Sequence, residues 1–63
     1  MSLVTTPNLA DRDGTYAALI EAHKGLSEAE STALNARLIL ILMNHIGDEA
    51  VLEEALALAR RTG

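Results

Sequence analysis

The feature that most limits the fold is an unbroken run of six apolar residues at positions 38–43. Signals for the two ends of a helix enclose this run. Upstream, Ser27 and Glu30 have the spacing of a capping box, in which each side chain accepts a hydrogen bond from the other residue's backbone amide. Downstream, Gly47 can adopt the left-handed backbone with which many helices end. Together these signals predict a helix over residues 28–46.

A buried β-strand is the main alternative for this run, because alternating leucine and isoleucine suit a sheet that is covered on both faces. However, the chain has no second segment that could pair with such a strand, and a lone strand leaves its backbone amides without partners. The capping signals also enclose about 19 residues, a length that is typical of helices. The pattern therefore favours a helix.

The segment before this helix also has helical spacing. One stripe at i, i+3, i+4 and i+7 contains Tyr16, Leu19, Ile20 and His23. Either Asp11 or Asp13 can cap the start of a helix, since both carboxylates can accept from exposed amides. Gly25 follows as a left-handed end. We therefore predict a first helix over residues 14–24.

A third helix is predicted over residues 49–61, with Asp48 as its N-cap. Its apolar face consists of Val51, Leu52, Ala55, Leu56, Leu58 and Ala59. Residues 1–10 show no period and are predicted to form an extended arm. The fold class is therefore all-α: residues 11–63 form one domain, with an antiparallel helical hairpin followed by a third helix.

Composition excludes several classes of function. Cysteine is absent, which excludes disulfides and thiolate zinc sites. The net charge of −4 argues against nucleic acid, whose phosphates require clustered lysine and arginine. No apolar run approaches the roughly 18 residues of a membrane span, and the first residues do not resemble a signal peptide. We expect a cytoplasmic protein that binds neither nucleic acid nor membrane.

Apolar side chains surround most of the second helix when it is drawn at about 100° per residue. The set comprises Leu34, Leu38, Ile39, Leu40, Ile41, Leu42, Met43 and Ile46. Two short neighbouring helices cover about half of this circumference, and soluble monomers usually avoid exposing the rest. We therefore predict a non-catalytic interaction protein that forms a homodimer through these residues. The alternatives are a different protein that covers them, or a loose monomer whose arm folds across them.

Both histidines lie on apolar faces, where they are candidates for metal ligands or acid–base groups. The other interpretation, which we favour, makes His23 and His45 half-buried packing residues, because no third ligand accompanies them. Antiparallel pairing of two second helices would bring His45 of one chain towards His23 of the other. A metal or small-ligand site of this kind is a further hypothesis. Otherwise, the sequence predicts no cofactor, no metal and no catalytic residue, hence no enzyme.

The string LNARLILILMNHIGD, with AHKGLS before it and EEALALAR after it, resembles a small family of uncharacterised short bacterial proteins, a domain of unknown function. The resemblance covers about residues 11–61. It rests on an NARLxLxLxNHIGD motif, whose matching residues include Asn35, Arg37, Asn44, His45, Gly47 and Asp48. It implies a short, helical, stand-alone proteobacterial protein with no assigned activity. The resemblance also supports an alternative function, as an accessory subunit of a metabolic enzyme such as a flavin-dependent oxidoreductase.

Overall fold

A computed structural model describes residues 2–62, and its fold is all-α, which confirms the predicted class. The helices are α1 (Arg12–His23), α2 (Glu28–Ile46) and α3 (Glu49–Thr62). The described residues contain no strand, so the alternative assignment of residues 38–43 to a strand is wrong.

α1 begins two residues before the predicted position because Asp11, not Asp13, is its N-cap. The Asp11 carboxylate accepts a hydrogen bond from the backbone N–H of Gly14 at 2.9 Å. Arg12 and Asp13 therefore belong to the first helical turn. At the other end, the helix stops at His23, and Gly25 adopts the left-handed backbone with φ of 77°.

α2 has the capping box that the sequence predicts. The Ser27 backbone N–H donates to Glu30 Oε1 at 2.9 Å, and the Glu30 backbone N–H donates to Ser27 Oγ at 3.1 Å. The helix ends at Gly47, whose φ is 66° and whose N–H donates to the Met43 carbonyl. Asp48 then begins α3 by accepting from the Val51 N–H at 3.2 Å.

The helices form an open arrangement in which little surface is hidden. The radius of gyration is 13.3 Å, against about 11 Å for a compact domain of this length. The accessible surface is 5515 Å², against about 3,900 Å² for a compact monomer of this mass. Val51 on α3 is the one buried residue among those described, with 5% of its surface exposed.

The arm ahead of α1 forms no helix or strand over residues 2–10. Leu3 is half-buried, whereas Val4 and Leu9 are more than half exposed. The arm therefore leaves most of its own apolar surface in contact with water, and it does not enclose α2.

Candidate interaction surfaces

The apolar residues of α2 that the sequence predicts as an interface lie at the surface of the single chain. Leu40 is 65% exposed, Ile41 64% and Ile39 51%, while Leu34, Leu38 and Met43 are half-buried. Water is a poor environment for a contiguous set of leucine and isoleucine side chains. α2 is therefore the main apolar surface of the molecule. It contains two separate parts, and Ile39 and Ile46 lie between them around the helix axis.

The first part of this surface is a groove of about 730 Å³ between α1 and α2, which we call the α1–α2 groove. Its lining is Leu9, Arg12, Thr15, Tyr16, Ala18, Leu19, Ala22, Leu34, Arg37, Leu38, Ile41 and Leu42. Half of the predicted interface set is thus turned towards α1. The groove remains open because Tyr16 and Ile41 are each 64% exposed.

The charged residues of the α1–α2 groove are both arginines, although the chain as a whole is acidic. Arg12 lies in the first turn of α1, and Arg37 lies near the middle of α2. Within residues 2–62, no carboxylate lines the groove. Over residues 2–62 the one ion pair joins Glu21 and Lys24 at 2.9 Å, so neither guanidinium has an acidic partner.

The second part of the surface lies on α2 about 150° around the helix axis from the groove-lining residues. It is a stripe with alternating spacings of four and three residues, which we call the α2 seam: Ala29, Ala33, Ala36, Leu40 and Met43. This is the spacing of the a and d positions through which helices pair in coiled coils. The three alanines and Leu40 are exposed, and Met43 is half-buried.

Leu40 and Met43 of the seam belong to the predicted interface set, whereas its three alanines do not. Three of its five positions are alanine, a residue that fits any helical face. The alternating spacing from Ala29 to Met43 was the available signal. None of the seam residues lines the α1–α2 groove, so the two apolar surfaces are separate.

The candidate metal ligands occupy different environments. His23 is half-buried at the end of α1, in agreement with a packing role. His45 is exposed in the last turn of α2, so the interpretation of this residue as a half-buried packing group is wrong. Among residues 2–62 no group of three or more histidine, cysteine, aspartate or glutamate side chains is placed to hold a metal ion.

The residues of the predicted motif are distributed along α2 and the link that follows it. Asn35, Arg37 and Asn44 are exposed. Gly47 and Asp48 form the link to α3, and their backbone and carboxylate groups end one helix and begin the next. The structure therefore assigns a local folding role to the last two of these residues.

The fold and its surfaces define a class of protein: a very small three-helix chain that exposes an apolar groove and an apolar helical seam. The chain belongs to the family described as Protein of unknown function (DUF2783), whose model matches residues 3–61. This confirms the resemblance to a family of unknown function. No curated protein and no solved structure matches the chain. None of the described helices is both long enough and apolar enough to cross a membrane.

Proposed function

We propose that this protein is a non-catalytic interaction module that forms a homodimer through the α2 seam. The observation that carries the proposal is the excess of exposed surface. The single chain exposes 5515 Å², about 1,600 Å² more than a compact monomer of its mass. A second copy with the same seam is the simplest partner, since one self-complementary patch then covers both chains.

The excess surface matches what a permanent dimer requires. A compact particle of twice the 6.7 kDa chain mass exposes about 6,500 Å². Pairing two chains to that compactness would remove about 4,500 Å² from water in total. This is an upper limit for a dimer paired through the seam, because the α1–α2 groove contains no seam residue and stays open. Obligate homodimers bury roughly 2,000–5,000 Å². The exposed apolar residues of α2 supply the kind of surface that such interfaces bury.

The distribution of side-chain size along the seam favours antiparallel pairing. Its N-terminal part is alanine, and its C-terminal part is Leu40 and Met43. In an antiparallel pair that overlaps along all of α2, Leu40 packs against the partner's Ala36 and Met43 packs against the partner's Ala33. Large side chains then fill the space that small ones leave. Parallel pairing would instead stack large on large and leave a gap between alanines.

The helix dipoles support the same orientation. Antiparallel pairing places the dipoles of the two α2 helices in opposition, which is the favourable arrangement for neighbouring helices. His45 lies on the face of α2 opposite the seam, so it makes no contact across the pair.

The test is the mass of the protein in solution, measured by light scattering for the parent and for Leu40→Glu. We expect a dimer for the parent. The dissociation constant of the variant dimer should be at least about 100-fold higher than that of the parent, because each new carboxylate would be buried without a partner. Ala57→Glu is the matched control, since it adds the same charge at an exposed position on α3, away from the seam, and should leave the dimer intact.

Two outcomes would contradict the homodimer. A Leu40→Glu variant that associates as tightly as the parent would show that the seam is not the interface. A parent chain that is monomeric, and becomes ordered only with a copurifying enzyme, would identify an accessory subunit whose partner covers α2.

A further inference from the structure

We propose that the α1–α2 groove binds a free long-chain carboxylate, with the apolar chain along the groove and the carboxylate held by Arg12 and Arg37. The groove volume of about 730 Å³ lies within the range of about 300–1,000 Å³ that is usual for small-ligand sites. Its lining also has the usual character of such sites, since an apolar floor is combined with few polar groups.

The positive charge of the two arginines in the groove favours a negatively charged ligand. The chain carries nine acidic and five basic residues, yet the groove contains two of the bases and none of the acids. Neither guanidinium has an acidic partner in the described chain. A carboxylate can accept paired hydrogen bonds from a guanidinium, which holds it more strongly than a neutral head group. A cationic amphiphile would be repelled.

The position of the arginines sets the orientation and length of the ligand. Both lie well away from the turn at residues 24–27, whereas Leu19, Ala22 and Leu34 line the groove closer to that turn. The groove wall from Arg12 to Ala22 spans about 15 Å of helix, enough for an extended chain of roughly ten to twelve carbons. We therefore place the head group at the arginines and the tail towards the turn.

Arginine can also line an apolar groove for a different reason. Its methylene stem covers apolar surface while the guanidinium remains in water. In that case the groove would show no preference for a negative head group. Substitution by methionine separates the two roles, because methionine keeps an apolar stem and removes the charge.

The groove proposal is independent of the proposed dimer, because no seam residue lines the groove. A dimer-breaking variant such as Leu40→Glu should therefore still bind the carboxylate. A second copy of the chain is the competing occupant of the groove. If decanoate dissociated the parent dimer, the groove would be part of the dimer interface and the ligand proposal would be overturned.

The binding experiment is a calorimetric titration with decanoate, followed in parallel by the fluorescence of Tyr16. This tyrosine is the sole aromatic residue of the chain and lines the groove, so its emission reports on the site. We expect saturable binding of one decanoate per chain. Decan-1-ol, which has the same tail without the charge, should bind at least tenfold more weakly. Equal affinity for the two would overturn the proposal.

The variants test the role of the arginines. Arg12→Met/Arg37→Met should bind decanoate at least tenfold more weakly than the parent and should change the affinity for decan-1-ol less than twofold. Arg60→Met/Arg61→Met removes the same charge from the end of α3, outside the groove, and is expected to bind decanoate like the parent. Helical circular dichroism checks the fold of each variant. Unchanged decanoate affinity in the groove variant would contradict the proposal.

A last comparison separates a free carboxylate from a bilayer. Vesicles of phosphatidylcholine and phosphatidylglycerol present negative head groups in a membrane, and we expect the protein not to sediment with them. The proposal would be overturned if the protein sedimented with these vesicles through Arg12 and Arg37 and did not bind decanoate. The two arginines would then bind a membrane surface and not a free carboxylate.

Discussion

At the scale of single residues, the ends of the helices were largely predictable because caps depend on near neighbours in sequence. The Ser27–Glu30 capping box and the left-handed Gly47 follow from spacing and residue type alone. The choice between Asp11 and Asp13 does not, since both carboxylates can cap a helix. It depends on the backbone of the arm, which holds Asp11 at φ −131° and ψ 82° so that its carboxylate reaches the amide of Gly14.

The capping box makes the stability of α2 depend on pH. Hydrogen bonds from the Ser27 backbone N–H and then from the Ser27 side chain lower the pKa of Glu30 from its ordinary value of 4.5. A carboxylate whose pKa is lower in the folded state stabilises the fold above its unfolded pKa, and this contribution is lost as pH falls through the folded value.

We therefore expect the thermal midpoint of the parent to fall more between pH 7 and pH 3 than that of Glu30→Gln. Glutamine can still cap the Ser27 amide but does not titrate. The measurement is thermal unfolding followed by circular dichroism at both pH values, with Glu54→Gln on α3 as a control for the lost charge. An identical fall in Glu30→Gln and the parent would show that the Glu30 carboxylate contributes nothing to this dependence.

At the scale of elements, the sequence predicted three helices and identified α2 as an apolar helix, but it did not divide the surface of α2 into a groove and a seam. The helical wheel shows which residues are neighbours on one helix. It does not show which side of α2 faces α1, because that depends on how the turn through Gly25 directs one helix relative to the other. The sequence of α2 alone therefore does not predict which of its faces lies against α1.

The orientation of two paired α2 helices can be tested by cross-linking, because the chain has no cysteine of its own. We expect an equal mixture of Ala33→Cys and Met43→Cys chains to form mainly the mixed disulfide on oxidation. In the antiparallel pair these positions face each other, whereas identical positions lie about 15 Å apart along the axis.

Mass spectrometry of the oxidised mixture separates the three possible products. Predominance of the two products that join identical positions would indicate a parallel pair and would contradict the antiparallel arrangement. Ala57→Cys on α3 is the control for random collision between exposed thiols, since it lies outside the seam.

At the scale of the whole molecule, the sequence predicted a chain too small to cover its own apolar middle helix, and the exposed surface of 5515 Å² agrees with this expectation. The prediction was possible because burial scales with chain length irrespective of topology. The extent of the opening was not predictable, since the periodicity of each helix does not indicate how the three helices are arranged relative to one another.

A chain stabilised by pairing should become more stable as its concentration rises. We expect a hundredfold increase in protein concentration to raise the thermal midpoint of the parent by on the order of 5 °C. Leu40→Glu should lose this dependence, and Ala57→Glu should keep it. Calorimetric scans over a concentration series provide the measurement. A midpoint that does not change with concentration in the parent would contradict stabilisation by association.

Val51 is the one side chain that the described part of a single copy encloses, and this has a consequence for how such a protein can evolve. A substitution at any other described position disturbs little tightly packed interior within the same chain. If the proposed pairing and ligand binding hold, natural selection on the leucines and isoleucines of α2 acts through the partner chain and the ligand. The tolerance of these positions to mutation would then be a property of the dimer and its ligand, not of the isolated chain.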